Sequence, residues 1–315
     1  MKVLVTGAAG FIGSQLATRL CQLGHSVIGV DNFDPYYARD DKERNAAEAR
    51  NLGMDLLERD LAADDMRDTL ADCDAIYHCA AQPGISDTTR FDAYVRNNVV
   101  ATQMLVDAAI RAGDDRTRRP FFINVSTSSV YGSDATGPET TEPKPTSFYG
   151  VTKLAAEQLA LAPQRRGLIR ACSLRLFSVY GPRERPEKLF PRLIRAIARD
   201  REFPLYDGAR AHTRSFTYVG DIIEAFVRAL THQERIDGEV INIGSGIRTS
   251  TGEAIDIVES IMGRKARFQV LPPRIGDQQD TCADIAKARR LLGYEPSVVP
   301  SEGLKESVRW FGAGQ

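Results

Sequence analysis

The sequence predicts an α/β fold built on a doubly wound parallel sheet. Short buried strands alternate with helical patterns through the first half of the chain. The first of these strands runs directly into a glycine-rich turn, and an acidic residue follows the second strand. Repeated strand–helix units of this kind form parallel sheets with helices on both faces. At 315 residues, the chain is long enough for one large domain or two.

The composition excludes several classes of function. With 41 basic and 42 acidic residues, the net charge is −1, so we expect no surface that attracts nucleic acid or acidic lipid. No apolar run approaches the roughly 18 residues of a membrane span. The five scattered cysteines, without a Cys-x-x-Cys pair, are typical of reduced thiols in a cytoplasmic protein. Four histidines without ligand spacing predict no metal site.

The glycine-rich turn predicts an anion-binding site of the Rossmann type. The strand Lys2–Thr6 leads into Gly7-Ala-Ala-Gly-Phe-Ile-Gly13, and a helical pattern follows from Ser14 to Leu23. These glycines permit a tight turn and close approach of a pyrophosphate, while the helix N-terminus offers unpaired N–H groups. The turn by itself could equally hold S-adenosylmethionine or a flavin.

The end of the second strand favours NAD over NADP. This strand, His25 to Val30, ends at Asp31-Asn32, about twenty residues beyond the glycines. An acid at this place accepts hydrogen bonds from the adenosine ribose and repels a 2′-phosphate.

The alternation continues through three more strands and a long helix. The strands are Asp55–Leu61, Ala75–Gln82 with its loop, and Pro120–Val125, which opens into Ser126–Gly132; the helix is Phe91–Ala112. Ligands gather at the carboxyl ends of parallel strands. Small or polar residues occupy all of these ends: Gly7, Asp31, Asp60, Ala80 and Thr127.

A tyrosine and a lysine four residues apart suggest acid/base chemistry. Tyr149 and Lys153 lie on one face of a predicted helix, about one turn from each other. A free phenol has a pKa of about 10, and a nearby ammonium lowers it. Such a tyrosine can take a proton from a sugar hydroxyl while hydride leaves the same carbon. Because this spacing is common on helices, an ordinary surface pair is the simpler interpretation of the two residues alone.

Together these segments resemble the extended short-chain dehydrogenase/reductase family, in particular its nucleotide-sugar epimerases. The similarity keeps its order and covers the chain from residue 1 to about 311. The matching segments are Thr6–Gly13, Asp31-Asn32, Asp60-Leu61, His78–Gln82, Ser126–Gly132, Tyr149–Lys153, Leu174–Pro182, Arg214–Val219 and Arg274–Asp277.

The resemblance implies bound NAD and a set of contacts to it. Lys153 would bind the nicotinamide ribose and depress the pKa of Tyr149. Asp31 and Asn32 would contact the adenosine ribose, with Asp60 and Leu61 near adenine. The other implied contacts are Gly7, Gly10, Phe11, Ile12, Gly13, Ala80, Ala81, Gln82 and either Asn97 or Asn98.

The resemblance also implies the catalytic groups and narrows the reaction. Tyr149 is the implied acid/base, and Thr127 would bind the reacting sugar hydroxyl. Related 4,6-dehydratases carry Asp-Glu where this chain has Ser128 and Ser129, and UDP-glucuronate decarboxylases carry Glu at the second position. The set that remains suits 4-epimerisation through a 4-keto sugar. In such an enzyme the three hydroxyls would hold a uronate carboxylate in an orientation that disfavours its loss as carbon dioxide.

The second half of the chain is expected to cover a UDP-sugar. We expect an NAD-binding domain at 1–175 and a smaller C-terminal α/β substrate-binding domain at 176–315, with segments that can interleave. Further elements are predicted at Leu189–Arg199, Val240–Gly244, Thr251–Met262, Ala283–Leu292 and Ser301–Phe311. The implied substrate contacts, besides Thr127, are Ser178, Arg185, Arg192, Tyr206, Arg214, Arg274 and Asp277.

UDP-glucuronate and UDP-galacturonate are the preferred substrates of this interpretation, although Lys188 departs from the small or Met residue usual at its position. The alternatives are a UDP-glucose or UDP-N-acetylglucosamine 4-epimerase, a UDP-glucuronate decarboxylase, and a dinucleotide sensor without catalysis. The family further implies a homodimer through the helices of Phe91–Ala112 and Tyr149–Ala162.

Overall fold

A computed structural model describes residues 1–85, 88–112, 119–273 and 279–312. Its strands are β1 (Lys2–Thr6), β2 (Ser26–Asp31), β3 (Asp55–Glu58), β4 (Ala75–His78), β5 (Phe121–Thr127), β6 (Asp134–Ala135), β7 (Arg170–Leu176), β8 (Val179–Tyr180), β9 (Glu202–Tyr206), β10 (Thr213–Arg214), β11 (Thr217–Tyr218), β12 (Val240–Ile243), β13 (Thr249–Ser250), β14 (Arg267–Leu271) and β15 (Asp280–Thr281).

The helices of the described residues connect these strands. They are α1 (Phe11–Gln22), α2 (Arg39–Asn51), α3 (Arg67–Leu70), α4 (Phe91–Tyr94), α5 (Ala101–Ala112), α6 (Phe148–Arg165), α7 (Leu189–Ala198), α8 (Val219–Thr231), α9 (Gln233–Ile236), α10 (Thr251–Met262), α11 (Ala286–Leu292) and α12 (Pro300–Gly312). No helix in the ranges that the structure describes is both long and apolar enough to cross a membrane.

The main sheet of the described chain has seven parallel strands in the order β12-β7-β5-β4-β1-β2-β3. The chain leaves β1 for β2 on one side and later returns to β4 on the other side. This reversal opens a crevice at the carboxyl ends of β1 and β4, where doubly wound sheets bind ligands. The predicted fold class is confirmed.

Alternate residues of β1 enter two separate apolar clusters, which shows that both faces of the sheet are covered. Val3 and Val5 pack with Leu16 of α1, whereas Leu4 packs with Leu105 of α5 on the opposite face. Successive strand side chains point to opposite faces, so a doubly covered strand must be apolar throughout. This is why the first strand reads as a continuous apolar run.

A third apolar cluster supports the smaller part of the molecule. It joins α7, α10 and α12 to the parallel pair β9–β14 and includes Phe190, Phe203 and Ile255. The chain crosses between the two parts, because β12 enters the main sheet and β6 joins the four-stranded sheet β13-β10-β15-β6. The division at 175/176 stays a prediction.

Local hydrogen bonds explain where predicted elements begin and end. Helix α6, which carries Tyr149 and Lys153, begins at Phe148 because the Ser147 side chain caps it. The Ser147 hydroxyl accepts a hydrogen bond from Gly150 N at 3.1 Å. The third strand ends at Glu58, earlier than predicted, and Asp60 starts a turn by accepting from Ala62 N. Similarly, Asp284 accepts from Ala286 N, so α11 begins after the predicted Ala283.

Candidate active site

A cavity of about 470 Å³ lies along the carboxyl ends of the central strands. Its size suits a cofactor and a small substrate. It brings together most of the residues proposed from the sequence: Gly7, Gly10, Phe11, Ile12, Gly13, Asp31, Asn32, Asp60, Leu61, Ala80, Ala81, Gln82, Asn97, Thr127, Ser128, Ser129, Tyr149, Lys153, Ser178, Arg185 and Arg214.

The glycine turn has the close packing that a dinucleotide cradle requires. Gly7 has φ +66°, and a Cβ added there would lie 2.9 Å from Ala80 N. A Cβ at Gly13 would collide with the Gly7 carbonyl oxygen. Only glycine therefore allows α1 to begin this close to β1 and β4, with its N-terminus facing the cavity. The residues present fit a dinucleotide pyrophosphate.

Asp31 is buried at the end of β2 and already holds the surrounding backbone. Its carboxylate accepts from Ala9 N at 3.0 Å and from Phe33 N at 2.9 Å. The Lys42 ammonium lies 3.7 Å from Asp31 Oδ1, with both side chains only 7% exposed. Asp31 is thus a fixed acceptor at the place expected for the adenosine ribose, and it is paired with a cation that the sequence analysis missed.

Asp60 is fixed at the neighbouring edge of the cavity. Its carboxylate accepts from Arg96 Nη2 at 2.6 Å and from Ala62 N at 2.9 Å. Burial raises the pKa of Asp60, but the bonds from Arg96 and Ala62 outweigh burial and leave the pKa below its usual value. Asp60 is therefore an anionic anchor for the loop that carries Leu61.

Of the two candidate asparagines, Asn97 lines the cavity and Asn98 does not. Asn98 is 1% exposed; its Oδ1 accepts from Gln82 N at 2.7 Å, and its Nδ2 donates to Gln82 O and Thr152 Oγ1. It therefore positions the loop after β4 from the π-helical segment Val95–Val100. The Gln82 Nε2 amide has no protein partner among the described residues, so it is a donor suited to a ligand oxygen.

A buried histidine extends this positioning network to the glycine turn. His78 Nδ1 lies 2.9 Å from Thr6 Oγ1, and His78 Nε2 lies 2.9 Å from Thr102 Oγ1. The Thr102 hydroxyl donates to Asn98 O, and Thr6 Oγ1 accepts from Ala80 N. Since Thr102 gives its proton to Asn98 O, it accepts from His78, so the ring proton is on Nε2. Burial lowers the pKa of His78 to about 3. The neutral ring links β1, β4 and the π-helical segment.

Three hydroxyl side chains form the end of β5. Thr127 has extended backbone and caps a short 3₁₀ turn, Ser128–Tyr131, with Ser129 N donating to its Oγ1 at 3.2 Å. Thr127 Oγ1 also lies 3.3 Å from Ser129 Oγ, so its rotatable hydroxyl can donate either to Ser129 or to the Tyr149 phenol oxygen. All three residues line the cavity and are at most 9% exposed. The site therefore presents hydroxyls, without a carboxylate at 128 or 129.

Tyr149 and Lys153 both reach the cavity from the first turns of α6. Burial raises the pKa of Tyr149 above its usual value, while a hydrogen bond with Thr127 and the charge of Arg185 act in the opposite direction. Lys153 is 3% exposed, and burial lowers its pKa to about 8. The pKa of Tyr149 is raised on balance because desolvation of the phenol outweighs the effects of Thr127 and Arg185, and its depression by Lys153 stays a prediction.

The sugar end of the cavity departs from the sequence expectations. Ser178, Arg185 and Arg214 line the cavity, but Arg192 is exposed, with its guanidinium over the Phe203 ring. Tyr206, at the end of β9, is also outside the lining. Arg274 and Asp277 lie outside the described residues. The sequence analysis missed several lining residues, among them Tyr36 and Tyr37 on the β2–α2 connection, Lys42 on α2 and Glu184 after β8.

Glu184 and Arg185 bring ionisable groups to the wall at the sugar end of the cavity. Glu184 is 5% exposed, and burial raises its pKa to about 8 against the opposing effects of Lys188 and Arg185. Arg185 lies over the Tyr36 ring at 5.6 Å and pairs with Glu187 at 2.8 Å. The segment Glu184–Lys188 could have been recognised from the sequence, because acidic and basic residues alternate in it.

Solved structures of UDP-sugar enzymes are similar to this chain. A UDP-glucuronic acid 4-epimerase from Bacillus cereus, in complex with UDP-glucuronic acid and NAD, has 37% identity and a TM-score of 0.94, with 100% of both chains covered. A UDP-glucose 4-epimerase from Thermotoga maritima, with UDP-glucose, has 29% identity and a TM-score of 0.88, with 100% of this chain and 99% of the other covered.

Sequence comparison agrees with the structural similarity. An uncharacterized UDP-glucose epimerase of Bacillus subtilis (strain 168) is 35% identical over 317 residues, which cover 98% of each chain. Residues 3–244 match the family model described as the NAD dependent epimerase/dehydratase family. The recognition of the family from the sequence is confirmed: this chain belongs to the NAD dependent epimerase/dehydratase family.

Proposed function

We propose that this protein is an NAD-dependent UDP-sugar 4-epimerase, with UDP-glucuronate and UDP-galacturonate as its preferred pair. One observation carries the proposal. Tyr149, Thr127 and Lys153 line the same cavity as the glycine turn, and the neighbouring positions 128 and 129 hold hydroxyls. The acids needed for dehydration are absent there, whereas a proton-transferring phenol is present.

Thr127, Tyr149 and Lys153 have separate roles in the proposed epimerisation. Thr127 orients the C4 hydroxyl of the sugar, and Tyr149 takes its proton as the C4–H bond breaks. When bound, NAD would supply the acceptor for the C4 hydride and, once the 4-keto sugar has rotated, the donor of that hydride to the opposite face of the ring. Tyr149 then gives its proton back to the C4 oxygen, so the protein ends the cycle unchanged. Lys153 holds the cofactor's ribose.

The cationic wall of the cavity favours an anionic ligand. Arg185, Lys188 and Arg214 all line it, and a guanidinium fork suits either a carboxylate or a diphosphate. We assign Arg214 to the diphosphate and Arg185 to the sugar carboxylate. The neutral-sugar alternative, a UDP-glucose or UDP-N-acetylglucosamine 4-epimerase, places Arg185 on the phosphates and needs no cation near C6.

A uronate substrate creates a second task for the hydroxyl cluster. The 4-keto uronate is a β-keto acid and loses carbon dioxide readily. We assign Thr127, Ser128 and Ser129 to the carboxylate, which they hold in an orientation that disfavours this loss. A UDP-pentose as the main product from UDP-glucuronate would identify a decarboxylase and refute this assignment.

An exposed apolar patch supports a homodimer. Phe91 of α4 and Phe148 of α6 are 47% and 59% exposed, and their ring centroids are 4.8 Å apart. Val100, at the end of the π-helical segment that follows α4, is 38% exposed, and Val151 of α6 is 45% exposed. We propose that this patch packs against its copy in a two-fold dimer, and that the protein acts in the cytoplasm.

The deciding experiment is incubation of the purified protein with UDP-glucuronate, UDP-glucose and UDP-N-acetylglucosamine, without added NAD, followed by separation of the C4 epimers. We expect UDP-galacturonate from UDP-glucuronate with the highest kcat/KM of the three. A higher kcat/KM on UDP-glucose would favour the neutral-sugar alternative. No conversion of any substrate by protein that contains NAD would favour the dinucleotide sensor.

A further inference from the structure

A buried tyrosine holds part of the cavity wall without lining the cavity itself. Pro83, Gly84 and Ile85 of the loop after β4 line the cavity, whereas Tyr94 of α4 is 1% exposed and is not part of the lining. The Tyr94 hydroxyl donates to Gly84 O at 2.7 Å. Because a buried hydroxyl and a carbonyl that are bonded to each other stay paired, this bond fixes the backbone of the loop at Gly84.

A separate pair of bonds fixes the start of the same loop. Asn98 accepts from Gln82 N at 2.7 Å and donates to Gln82 O at 3.2 Å. The loop is therefore attached at two points to α4 and the π-helical segment that follows it. Asn98 holds Gln82, and Tyr94 holds the turn at Gly84, where φ is +78°. Removal of the Tyr94 hydroxyl would release the turn and leave the start of the loop in place.

The turn at Gly84 is one of three neighbours that confine the Arg185 side chain. A Cβ added to Gly84 would lie 3.4 Å from Arg185 Nη2 and 3.8 Å from Arg185 Nη1. The Tyr36 ring centroid lies 5.6 Å from the guanidinium carbon, and Glu187 Oε1 lies 2.8 Å from Nη1. The Arg185 side chain is 13% exposed. A displacement of Gly84 would therefore give the guanidinium a wider range of positions.

We propose that Tyr94 is a positioning residue for substrate discrimination: its hydroxyl fixes Gly84, and Gly84 keeps the Arg185 guanidinium in place for a sugar carboxylate. This inference rests on the proposed function, in which Arg185 binds the carboxylate of UDP-glucuronate. Charge-assisted hydrogen bonds to a carboxylate depend on the direction and distance of the donor. A neutral sugar makes no such bonds, so it loses little when the guanidinium is less well placed.

Four proteins test the proposal: wild type, Tyr94→Phe, Arg185→Met and the double variant. Each is loaded with NAD, and its Kd for radiolabelled UDP-glucuronate and UDP-glucose is measured by equilibrium dialysis. Tyr94→Phe keeps the ring, whose centroid lies 6.4 Å from that of Tyr149. We expect it to raise the ratio of the UDP-glucuronate Kd to the UDP-glucose Kd about 3–10-fold, the usual effect of one lost hydrogen bond. In the Arg185→Met background, Tyr94→Phe should leave this ratio unchanged, because its effect acts through the guanidinium.

Tyr294→Phe is the matched control for the loss of a buried hydroxyl. Tyr294 is fully buried and its hydroxyl donates to a glycine carbonyl, Gly244 O, at 3.1 Å, but neither residue lines the cavity. This variant should keep the wild-type Kd ratio. Steady-state kinetics give a second readout: Tyr94→Phe should raise KM for UDP-glucuronate and keep the wild-type kcat, because it weakens ground-state and transition-state binding equally.

Three results would overturn the role of Tyr94. They are a wild-type Kd ratio in Tyr94→Phe, the same rise in Tyr294→Phe, and an equal further rise when Tyr94→Phe is added to Arg185→Met. Absence of epimerisation by NAD-loaded wild-type protein would instead contradict the proposed function, while the dialysis would still decide whether Tyr94 acts through Arg185.

Discussion

Glu157 and Arg175 form a two-point ion pair between α6, the helix that carries the proposed acid/base, and β7. Arg175 Nη2 and Nε donate to Glu157 Oε1 and Oε2 at 2.6 and 3.0 Å, and the side chains are 4% and 0% exposed. Glu157 is one turn beyond Lys153 on α6, and its charge raises the pKa of that lysine against the effect of burial. The pair therefore connects β7 to the catalytic face of α6.

We expect Arg175→Met to destabilise the protein by about 3–5 kcal/mol, because it leaves the Glu157 carboxylate buried without its cation. Denaturant unfolding of both proteins measures the change. The double variant Glu157→Gln, Arg175→Met removes both charges and should recover much of the loss. A loss below about 1 kcal/mol in Arg175→Met would show that the pair is not a major support of α6.

The hydroxyl of Thr127 should control the pH dependence of turnover. The phenol must be ionised to accept a proton, and the Thr127 hydrogen bond lowers a pKa that burial raises. Thr127→Val removes this bond, so the pKa of Tyr149 rises and the ascending limb of kcat/KM moves to higher pH. Thr127→Ser keeps a hydroxyl and should keep the wild-type profile. Superimposable profiles for Thr127→Val and wild type would contradict the contact.

Arg185 should distinguish uronate from neutral sugar substrates. Removal of a charged hydrogen bond costs about 1.5–3 kcal/mol, so Arg185→Met should lower kcat/KM on UDP-glucuronate roughly 10–100-fold and affect UDP-glucose less. Arg192→Met is the matched control, because Arg192 is exposed outside the cavity lining and should have little effect. Equal losses on both substrates in Arg185→Met would place Arg185 on the diphosphate.

The exposed patch of α4 and α6 should be required for dimerisation. A charge placed in a buried apolar interface is costly, so Phe148→Glu or Val151→Glu should yield monomers. Light scattering after size exclusion measures the molar mass. Val270→Glu alters a residue of β14 that is 68% exposed and outside the patch, and it should leave the mass at the wild-type value. A wild-type monomer, or dimeric Phe148→Glu and Val151→Glu proteins, would contradict this interface.

The sequence predicts the parallel sheet and the cavity residues that belong to local motifs. Gly7, Asp31 and Thr127 are placed by the strand that precedes each one, and parallel strands bring such ends to one edge. Spacing of this kind is a local property, and the chain encodes it directly. This is why the glycine turn and the hydroxyl cluster were found without the structure.

The residues that the sequence left open or missed are those for which side-chain direction or solvation decides the outcome. Asn97 and Asn98 are adjacent, and only the π-helical turn determines which one faces the cavity. Arg192 and Arg185 have the same chemistry, but the register of α7 directs Arg192 to solvent. The pKa of Tyr149 depends on burial in three dimensions, which the Tyr149–Lys153 spacing does not contain. Lys42 was missed because its partner Asp31 is close only in the fold.

The central claim is that the phenol of Tyr149 transfers the proton at C4 beside bound NAD. Its most direct test is Tyr149→Phe, with kcat on UDP-glucuronate and the NAD content per chain measured on one preparation. The account predicts that kcat falls by at least about 10²-fold, the usual contribution of a positioned acid/base, while NAD content stays at the wild-type value. Full activity in Tyr149→Phe would contradict the account.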